Sequence, residues 1–520
     1  MKIIFKNEKN YKIKILITIL IKRGYCTMLK KLCLILLICS VFLSLLLGCG
    51  GNEQMETPLN EKSAQNADNT ETAQLRPNLP DNLNFNSETF TFIVTGPEYG
   101  SGYYETIDIY AEEQNATTLN DAVYLRNRSV EALLNVEIAE TKSNNVPNDI
   151  TKAVLSDDDL YNASFVQGYE YPKLVQSGYF LNIKDMPYID LNKPWWDKNF
   201  ENEMTIRGKL YFTTGDISTM VKACTRMLVF NKQLITDFGL DNPYDHVRND
   251  TWTFDVYAQY GKSIYLDVNG SGSPDDEDVY GILREDTAAT IMMLNFGERI
   301  TKNDANGYPQ IVFHSDRMIT AANKLFDLYY DNISVRKNTF LKPTTGYTNI
   351  WTFGRSLFAQ DKFLFHFGVP LILDEFRNME SEFGLLPWPK LDESQSRYNH
   401  AVDISAVLLG IPVTVRNLEM AGAVLEAMAA ESMYTVAPAY NEIMLKRKYI
   451  RDAESEFILD IVNGTRIYDL ASLFRWGNMD YLVIDVMDKD SRAISSEFEK
   501  RYESTFKAIE STMTAFDDLK

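Results

Sequence analysis

The stretch Thr89-Phe90-Thr91-Phe92-Ile93-Val94 begins the folded part of this chain. Its β-branched and aromatic residues are typical of a β-strand, and Thr95-Gly96-Pro97 ends the run. Apolar residues at helical spacing follow over residues 119–134, and residues 135–139 read as the next strand. Strand and helix therefore alternate from the first folded residues onward.

The same alternation continues along the chain. Further strands are predicted over 160–166, 209–213 and 226–230, and further helices over 149–155, 171–177, 231–238, 316–330, 417–430 and 491–516. Another helix opens after Thr251-Trp252-Thr253, with Thr253 as its N-cap. This order favours an α/β architecture over a β-sandwich. The about 435 residues of this part suffice for a large core and suggest two domains.

The residues ahead of the fold have the pattern of an export signal. Lys30 and Lys31 precede an apolar run of 16 residues over 32–47, shorter than the roughly 20 that a membrane-spanning helix needs. The run ends in Leu46-Leu47-Gly48-Cys49, which resembles the lipobox of bacterial lipoproteins, where lipid such as palmitate is attached to the cysteine. The alternative is an ordinary uncleaved anchor.

These patterns divide the N-terminal region. Residues 1–48 are interpreted as an upstream segment and a signal peptide, which fits best if it starts at Met28. Cys49 is the predicted lipidation site. Residues 49–86 are rich in Asn, Gln, Glu, Thr and Pro and are predicted to be a flexible tether. The rest of the chain would then work at the extracellular face of the cell membrane, held by its lipid.

The charge and the cysteine content of the chain restrict its possible partners and its means of stabilisation. The chain has 72 acidic and 52 basic residues, and nine of the basic residues but only one acid, Glu8, lie within residues 1–48. So acidic a body repels phosphate backbones, which argues against nucleic acid as a partner. Only Cys224 follows Cys49, so the exported part can form no internal disulfide. We expect a monomer that relies on a large core.

Several blocks in the middle and C-terminal parts point to a known family. They are Trp252 to Tyr265, Asp267 to Gly272, Asp278 to Ile282, Phe353 to Phe358, Gly384 to Asp392, Ile411-Pro412, Tyr468 to Leu470 and Arg475 to Gly477. In this order and spacing the chain resembles the family 1 extracellular solute-binding proteins, the substrate receptors of ABC importers. The resemblance covers roughly residues 88–515. A lipid anchor is typical of such receptors in Gram-positive bacteria.

The resemblance implies an α/β, two-lobed periplasmic-binding-protein-like fold (type II) with a ligand cleft between the lobes. Hinge closure would bury the ligand. Crossings between the lobes are predicted near residues 212–220, 347–353 and 401–409. Lobe 1 would comprise 87–215 plus about 350–400, and lobe 2 would comprise 216–349 plus about 401–520. The implied partners are a carbohydrate solute and ABC permease subunits in the membrane.

Residues 267–278 match the twelve-residue calcium loop. Oxygen ligands would come from Asp267, Asn269, Ser271, Ser273, Asp275 and Asp278, with Gly272 at the turn. Serine at position 5 and aspartate at position 12 depart from the usual pattern. A structural calcium ion is the one cofactor that the sequence suggests, and none is required for function. The alternative is a solvated acidic hairpin.

Candidate ligand contacts come from tryptophans and from strand ends. Sugar rings present apolar faces that stack on aromatic side chains, and Trp196, Trp351 and Trp476 are the candidates, whereas Trp252 is assigned to packing. Ligands of open α/β sheets bind beyond strand ends. Polar residues predicted at such positions are Glu98, Tyr99, Gln167, Tyr169 and Asp216.

No catalytic constellation can be assembled from the sequence. The four histidines lack metal-binding spacing, and no G-x-S-x-G motif occurs. The sequence therefore predicts a binding protein rather than an enzyme. A secreted carbohydrate-active enzyme and a non-transport surface or adhesion lipoprotein are the alternatives.

Overall fold

The computed structural model describes residues 74–99, 103–347, 349–446 and 453–519. The predicted signal, Cys49 and most of the predicted tether lie outside these residues. Within the described ranges, no helix combines the length and hydropathy needed to cross a membrane.

Fourteen short strands are present in the described part of the chain. In chain order they are β1 (Glu88–Thr95), β2 (Val136–Ser143), β3 (Ala163–Gln167), β4 (Met227–Asn231), β5 (Tyr265–Leu266), β6 (Val279–Arg284), β7 (Thr301–Asn303), β8 (Pro309–Ile311), β9 (Val335–Lys337), β10 (Phe363–Gly368), β11 (Phe383–Leu386), β12 (His400–Ala401), β13 (Val407–Gly410) and β14 (Arg466–Ile467).

The α-helices of the described residues are interleaved with these strands. They are α1 (Thr118–Leu134), α2 (Val146–Leu155), α3 (Tyr171–Gln176), α4 (Lys198–Met204), α5 (Met220–Ala223), α6 (Lys232–Asp237), α7 (Pro243–Arg248), α8 (Phe254–Lys262), α9 (Ala289–Asn295), α10 (Asp316–Tyr329), α11 (Ile350–Phe358), α12 (Leu418–Tyr434), α13 (Val436–Lys446), α14 (Ala453–Gly464), α15 (Leu470–Phe474), α16 (Leu482–Asp488) and α17 (Ile494–Asp518).

The first sheet has the strand order β13-β3-β1-β2. Strand β1 is parallel to both β2 and β3, whereas β13 is antiparallel to β3. Phe90, Phe92, Ile93 and Val94 of β1 are all fully buried. Side chains on both faces of this strand are therefore covered, as a central strand of a largely parallel sheet requires. Helices α2 and α12 contact β1, and α1 contacts β2.

The second sheet has the order β11-β4-β10-β6-β5, and β9 also pairs with β6. Helix α8 lies so close to β6 that a Cβ on Gly281 would stand 1.8 Å from the carbonyl oxygen of Gly261. Only glycine allows this approach. Trp252 and Trp388 are fully buried beside this sheet, so the assignment of Trp252 to packing is confirmed.

Between β1 and β13, the described part of the chain passes between the two sheets twice. It leaves the first sheet after β3 and enters the second at β4, then returns between β11 and β13. These passages include the predicted crossings near 212–220 and 401–409, which run side by side: the N–H groups of Thr213 and Leu409 donate to each other's carbonyl oxygens at 2.8 and 2.9 Å. No crossing occurs near 347–353, because β9 and β10 on either side of it both belong to the second sheet.

This topology corrects the predicted lobe boundaries. The segment 350–400 was assigned to the lobe of residues 87–215, but its strands β10 and β11 pair with β4. The segment from residue 401 was assigned to the other lobe, but β13 pairs with β3. Residues 350–400 therefore belong with the second sheet and β13 with the first, whereas α14 contacts β11 of the second sheet, in agreement with the predicted lobe 2 for that part of the chain.

Two local predictions also need correction. Residues 209–213 form no strand; only isolated bridges join Lys209 to Ile206 and Thr213 to Leu409. Thr253 does stand at the N-cap position of α8, but its hydroxyl accepts no hydrogen bond from that helix. The other strands and helices named from the sequence are present, with ends shifted by a few residues.

Candidate ligand-binding cleft

The first sheet forms a crevice beyond the ends of β1 and β3. Strand order reverses there, since β2 lies on one side of β1 and β3 on the other, and open α/β sheets bind ligands at such points. Tyr99 follows β1, and its hydroxyl donates to Oε1 of Glu170 after β3 at 2.5 Å. It also lies 3.3 Å from the Tyr169 hydroxyl. Burial and the bond to Glu170 raise the pKa of Tyr99, which keeps the hydroxyl protonated.

Arg475 reaches this crevice from the C-terminal part of the chain. Its backbone is left-handed, with φ of 50°, a conformation that costs free energy for a residue with a Cβ. Its guanidinium carbon lies 5.4 Å from the ring centroid of Tyr169 and 5.8 Å from that of Tyr481. Cation–π contacts with two rings fix the charged group beside the crevice.

A cavity of about 190 Å³ lies between segments of both sheets. We call it the cleft cavity. Among its lining residues are Tyr104, Arg226, Glu285, Trp351, His366 and Asp403. They come from the loop after β1, the two passages, the ends of β6 and β10, and α11. Because β6 and β10 are parallel, their carboxyl ends meet at the same edge of the second sheet.

Arg226 and Asp403 form an ion pair within the cleft cavity. Nη2 of the arginine lies 2.5 Å from Oδ2 of the aspartate, and the guanidinium stands 5.7 Å from the ring centroid of Phe367. Burial alone would raise the pKa of Asp403, but the arginine holds it below its ordinary value. Both side chains are therefore charged at neutral pH. Nε of Arg226 is buried and has no hydrogen-bond partner.

Glu285 and His366 are the other buried polar groups of this cavity. Glu285 is 7 % exposed and His366 is 2 % exposed. Burial raises the pKa of Glu285; burial, with the nearby arginines, lowers that of His366 to about 3, so the imidazole is neutral. Neither ring nitrogen has a hydrogen-bond partner, and the Glu285 carboxylate stays 3.9 Å from Nδ1.

A buried polar group without a hydrogen-bond partner lowers the stability of the folded protein unless a ligand supplies the missing bond. A buried polar group without a partner costs about 1–3 kcal/mol. Groups of this kind are rare in folded proteins and call for an explanation. The Glu285 carboxyl group offers acceptors, and the neutral imidazole offers one donor and one acceptor. Together they suit a ligand whose groups both donate and accept hydrogen bonds.

Helix α11 brings an aromatic side chain and a cation to the same cavity. Trp351 is 43 % exposed, which leaves ring surface open to a ligand. One turn later, Nε of Arg355 lies 2.7 Å from Oε2 of Glu375. The Tyr103 hydroxyl, from the loop after β1, donates to Oε1 of Glu375 at 2.6 Å and accepts from Nη2 of Arg355 at 3.0 Å. This three-residue contact links the parts of the chain that carry the two sheets.

The structure gathers some of the predicted contacts and separates others. Tyr99 and Tyr169 meet at the crevice, and Trp351 lines the cleft cavity. Gln167 is buried at the end of β3, 2 % exposed. Glu98 is exposed and accepts a hydrogen bond from the Asn144 side chain at 2.8 Å. Whether these residues contact a ligand stays a prediction.

Trp196 and Trp476 are not stacking platforms in this structure. Both rings are buried, at 4 % and 2 % exposure. The Trp196 indole N–H donates to Oε2 of Glu426 at 2.8 Å, and that of Trp476 donates to the Thr512 hydroxyl at 2.9 Å. Their rings are core packing, as large polar-tipped aromatics commonly are. Asp216 pairs with Lys222 at 2.7 Å and does not line the cleft cavity.

Sequence reasoning missed four polar residues of the cleft cavity. They are Arg226, Glu285, His366 and Asp403. A signal existed for His366, which is the single polar side chain in the strand Phe363–Gly368, and for Glu285, which directly follows β6. Metal-binding spacing does not reveal His366, because it is an isolated histidine in an apolar strand.

The calcium-like loop is folded around its own backbone N–H groups. The Asp267 carboxylate accepts from the N–H groups of Ser271 and Gly272 at 3.1 and 2.9 Å, and Asp278 accepts from Val268 at 3.1 Å. In the described part of the chain, no three His, Cys, Asp or Glu side chains are grouped closely enough to hold a metal. A structural calcium ion therefore stays a prediction.

Comparisons with known proteins identify the fold. No protein-family model and no curated protein sequence matches this chain. Among solved structures, a cyclo/maltodextrin-binding protein in complex with maltotetraose is 12 % identical with a TM-score of 0.52, over 84 % of this chain and 98 % of that one. The galacto-N-biose-/lacto-N-biose I-binding protein of the ABC transporter from Bifidobacterium longum is 11 % identical with a TM-score of 0.53, over 82 % and 98 %.

A third structure is an ABC transporter solute-binding protein from Thermotoga lettingae bound with α-D-tagatose. It is 14 % identical with a TM-score of 0.50, and the match covers 81 % of this chain and all of that chain. The predicted fold class is confirmed: the chain has the α/β fold of two-domain periplasmic solute-binding proteins. At these identities, the likeness is one of fold.

Proposed function

We propose that this chain is the solute-binding receptor of an ABC importer and that it captures a sugar or oligosaccharide. The observation that carries the proposal is the cleft cavity, where His366, whose ring nitrogens have no hydrogen-bond partner, lines the same space as the buried Glu285 and the half-exposed Trp351. Polar groups for hydroxyls beside an aromatic face are the combination that a sugar ring requires. The similar structures named above carry maltotetraose, lacto-N-biose and tagatose, which supports the same ligand class here.

The cavity residues would act by binding and orientation. Trp351 would stack on an apolar face of the ring, and Glu285 and the neutral His366 would take its hydroxyls. Arg226 and Asp403 of the cavity lining are already paired, so these two side chains need little further ordering when a ligand binds. Closure of the two parts would exclude water from these bonds. No covalent step is needed, so we propose a binding protein rather than an enzyme.

Calorimetry against a panel of neutral oligosaccharides tests the proposal. We expect at least one member to bind, and Trp351→Ala to weaken that binding by roughly tenfold or more through loss of the stacked ring. Tyr502→Ala is a matched control, since Tyr502 is also 43 % exposed but lies on α17 away from the cavity.

Other outcomes separate the alternatives. Tight binding of a peptide or an amine, with no saccharide bound, would contradict the sugar ligand. Turnover of an oligosaccharide would favour a carbohydrate-active enzyme. If no small ligand changes the small-angle scattering curve, a surface or adhesion lipoprotein becomes the better explanation.

The proposal extends to cellular location. We propose that lipid on Cys49 holds the receptor at the extracellular face of the membrane, where it would deliver solute to its permease as a monomer. The lipobox-like stretch ahead of Cys49 supports the anchor. The negative net charge of the residues after Cys49 supports an exported, soluble receptor and argues against a protein that binds nucleic acid.

A further inference from the structure

We infer that Arg475 forms a second ligand subsite in the crevice beside the cleft cavity, so that the receptor binds an oligosaccharide more tightly than a single sugar. This inference rests on the proposed function. It goes further because it assigns the ligand more than one sugar unit and names a residue that contacts a unit outside the cleft cavity.

The guanidinium group of Arg475 is exposed and has no polar partner. In the part of the chain that the structure describes, it makes no hydrogen bond and no ion pair, and its contacts are with the rings of Tyr169 and Tyr481. Burial raises the pKa of Asp480 to about 6 although the nearby Arg475 acts in the opposite direction. The arginine charge is thus partly balanced, and what Arg475 offers a ligand is its set of N–H donors.

The loop that carries Arg475 is held in a strained backbone conformation. Arg475, Gly477 and Asn478 all have left-handed φ angles, of 50°, 58° and 55°. Between them, the buried Trp476 fastens the loop to α17, because its indole N–H donates to the Thr512 hydroxyl at 2.9 Å. Strain that the surroundings maintain in this way is concentrated at ligand sites. The protein therefore pays in free energy to hold Arg475 at the crevice.

The crevice continues directly from the cleft cavity. Asp403 lines the cavity, and the carbonyl oxygen of the next residue, Ile404, accepts a hydrogen bond from the N–H of Tyr169 at 3.1 Å. The Tyr169 ring in turn contacts Arg475. A ligand that extends from the cavity past Asp403 would therefore reach the donors of Arg475.

The cavity volumes favour a ligand of more than one unit. The cleft cavity, at about 190 Å³, is smaller than the roughly 300–1,000 Å³ of sites for drug-sized ligands, which suits a single sugar ring. A second cavity of about 500 Å³ has Tyr169 and Glu170 in its lining. The Tyr169 hydroxyl and the Glu170 carboxyl group can bond to sugar hydroxyls there, beside the donors of Arg475.

Sugars of increasing chain length test the subsite by calorimetry with the full-length folded protein. The probes are glucose with maltose, maltotriose and maltotetraose, glucose with the cellodextrins up to cellotetraose, and the corresponding series for any panel sugar that binds. We expect wild-type protein to bind the trisaccharide of the best series at least about tenfold more tightly than its monosaccharide. Arg475→Gln should weaken trisaccharide binding by about tenfold and change monosaccharide binding by less than about twofold.

Arg492→Gln is the matched control. Arg492 also lies over two aromatic rings, those of Phe326 and Tyr330, at 5.9 and 5.7 Å. It is paired with Asp327 at 2.7 Å, however, and does not line the cleft cavity. Its replacement should leave the affinity unchanged at every chain length.

The outcomes separate this inference from the proposed function. Equal affinity of wild-type protein for the monosaccharide and the trisaccharide would overturn the inference and leave the sugar-receptor proposal standing. So would a preference for longer sugars that Arg475→Gln does not reduce, or a loss that is the same at all lengths. If no series and no panel member binds, the proposed function fails and this inference with it. Should Arg475→Gln not fold, Tyr169→Phe takes its place, because loss of that hydroxyl should also weaken only the longer sugars.

Discussion

At the scale of single residues, Glu426 shows how a buried carboxyl group is held. It lies on α12 with no exposed surface. Its Oε2 accepts hydrogen bonds from the Trp196 indole and from the backbone N–H of Asp190, while Oε1 is unpartnered. Burial raises its pKa from 4.5 to about 7. The side chain that was predicted to stack on sugar, Trp196, is thus part of this internal contact.

This carboxyl group makes stability depend on pH. Below pH 4.5 Glu426 is protonated in both the folded and the unfolded chain, so it imposes no cost. As the pH rises from 4.5 to about 7, the unfolded chain ionises first and folding loses on the order of 3 kcal/mol. We expect Glu426→Gln to match wild type at pH 4 and to be more stable at pH 8. Urea unfolding at both values measures this.

The same substitution at an exposed position provides the control. Glu499→Gln should leave the free energy of unfolding unchanged at both pH values. Equal stability of wild type and Glu426→Gln at pH 8 would mean that the buried carboxylate is stabilised as strongly as in water.

At the scale of structural elements, the loop between β5 and β6 can be tested for calcium. We predict that calcium raises the melting temperature and that chelation lowers it, since oxygen ligands at this spacing suit the ion. Asp267→Ala should abolish the sensitivity. It should also cost about 1 kcal/mol without calcium, because the N–H groups of Ser271 and Gly272 lose their acceptor.

The turn at Asp304 is a suitable comparison for this loop. Its carboxylate likewise accepts backbone N–H groups, from Asn306 and Tyr308. Asp304→Ala should therefore destabilise the protein without changing its response to calcium. A melting temperature that chelation leaves unaltered in wild-type protein would show that the loop is an acidic hairpin.

At the scale of the whole molecule, the contact of Tyr103 with Arg355 and Glu375 links the parts that carry the two sheets. A hydrogen bond to charged groups at a partly exposed position contributes about 1 kcal/mol. Tyr103→Phe should therefore shift the balance toward a more open form by roughly fivefold. We expect small-angle scattering to give a larger radius of gyration for ligand-free Tyr103→Phe than for wild type. The radius of gyration of Tyr502→Phe should equal that of wild type. Identical curves for wild type and Tyr103→Phe would rule out this role.

The anchor is a second property of the whole molecule. We predict that wild-type protein partitions with the membrane and takes up labelled palmitate, whereas Cys49→Ser does neither. Cys224→Ser is the control, because Cys224 is fully buried and cannot carry a lipid in the folded protein. Membrane retention of Cys49→Ser would favour the uncleaved anchor.

Local pattern in the sequence determined the elements and the fold class. β1 follows from its own β-branched and aromatic residues, and α10 and α12 follow from the helical spacing of their apolar residues. These features depend on neighbours within a few residues, so the chain encodes them directly. The alternation of strands and helices then limited the architecture to α/β.

Only the tertiary structure decided which segments share a sheet and which side chains face the cleft. Strand pairing joins β10 to β4 and β13 to β3 across long stretches of chain, and no local signal counts the passages between sheets. Tertiary packing likewise buries Trp476 and brings Glu285 close to His366. Contacts between residues distant in sequence set exposure and charge pairing, and these two quantities define the proposed binding site.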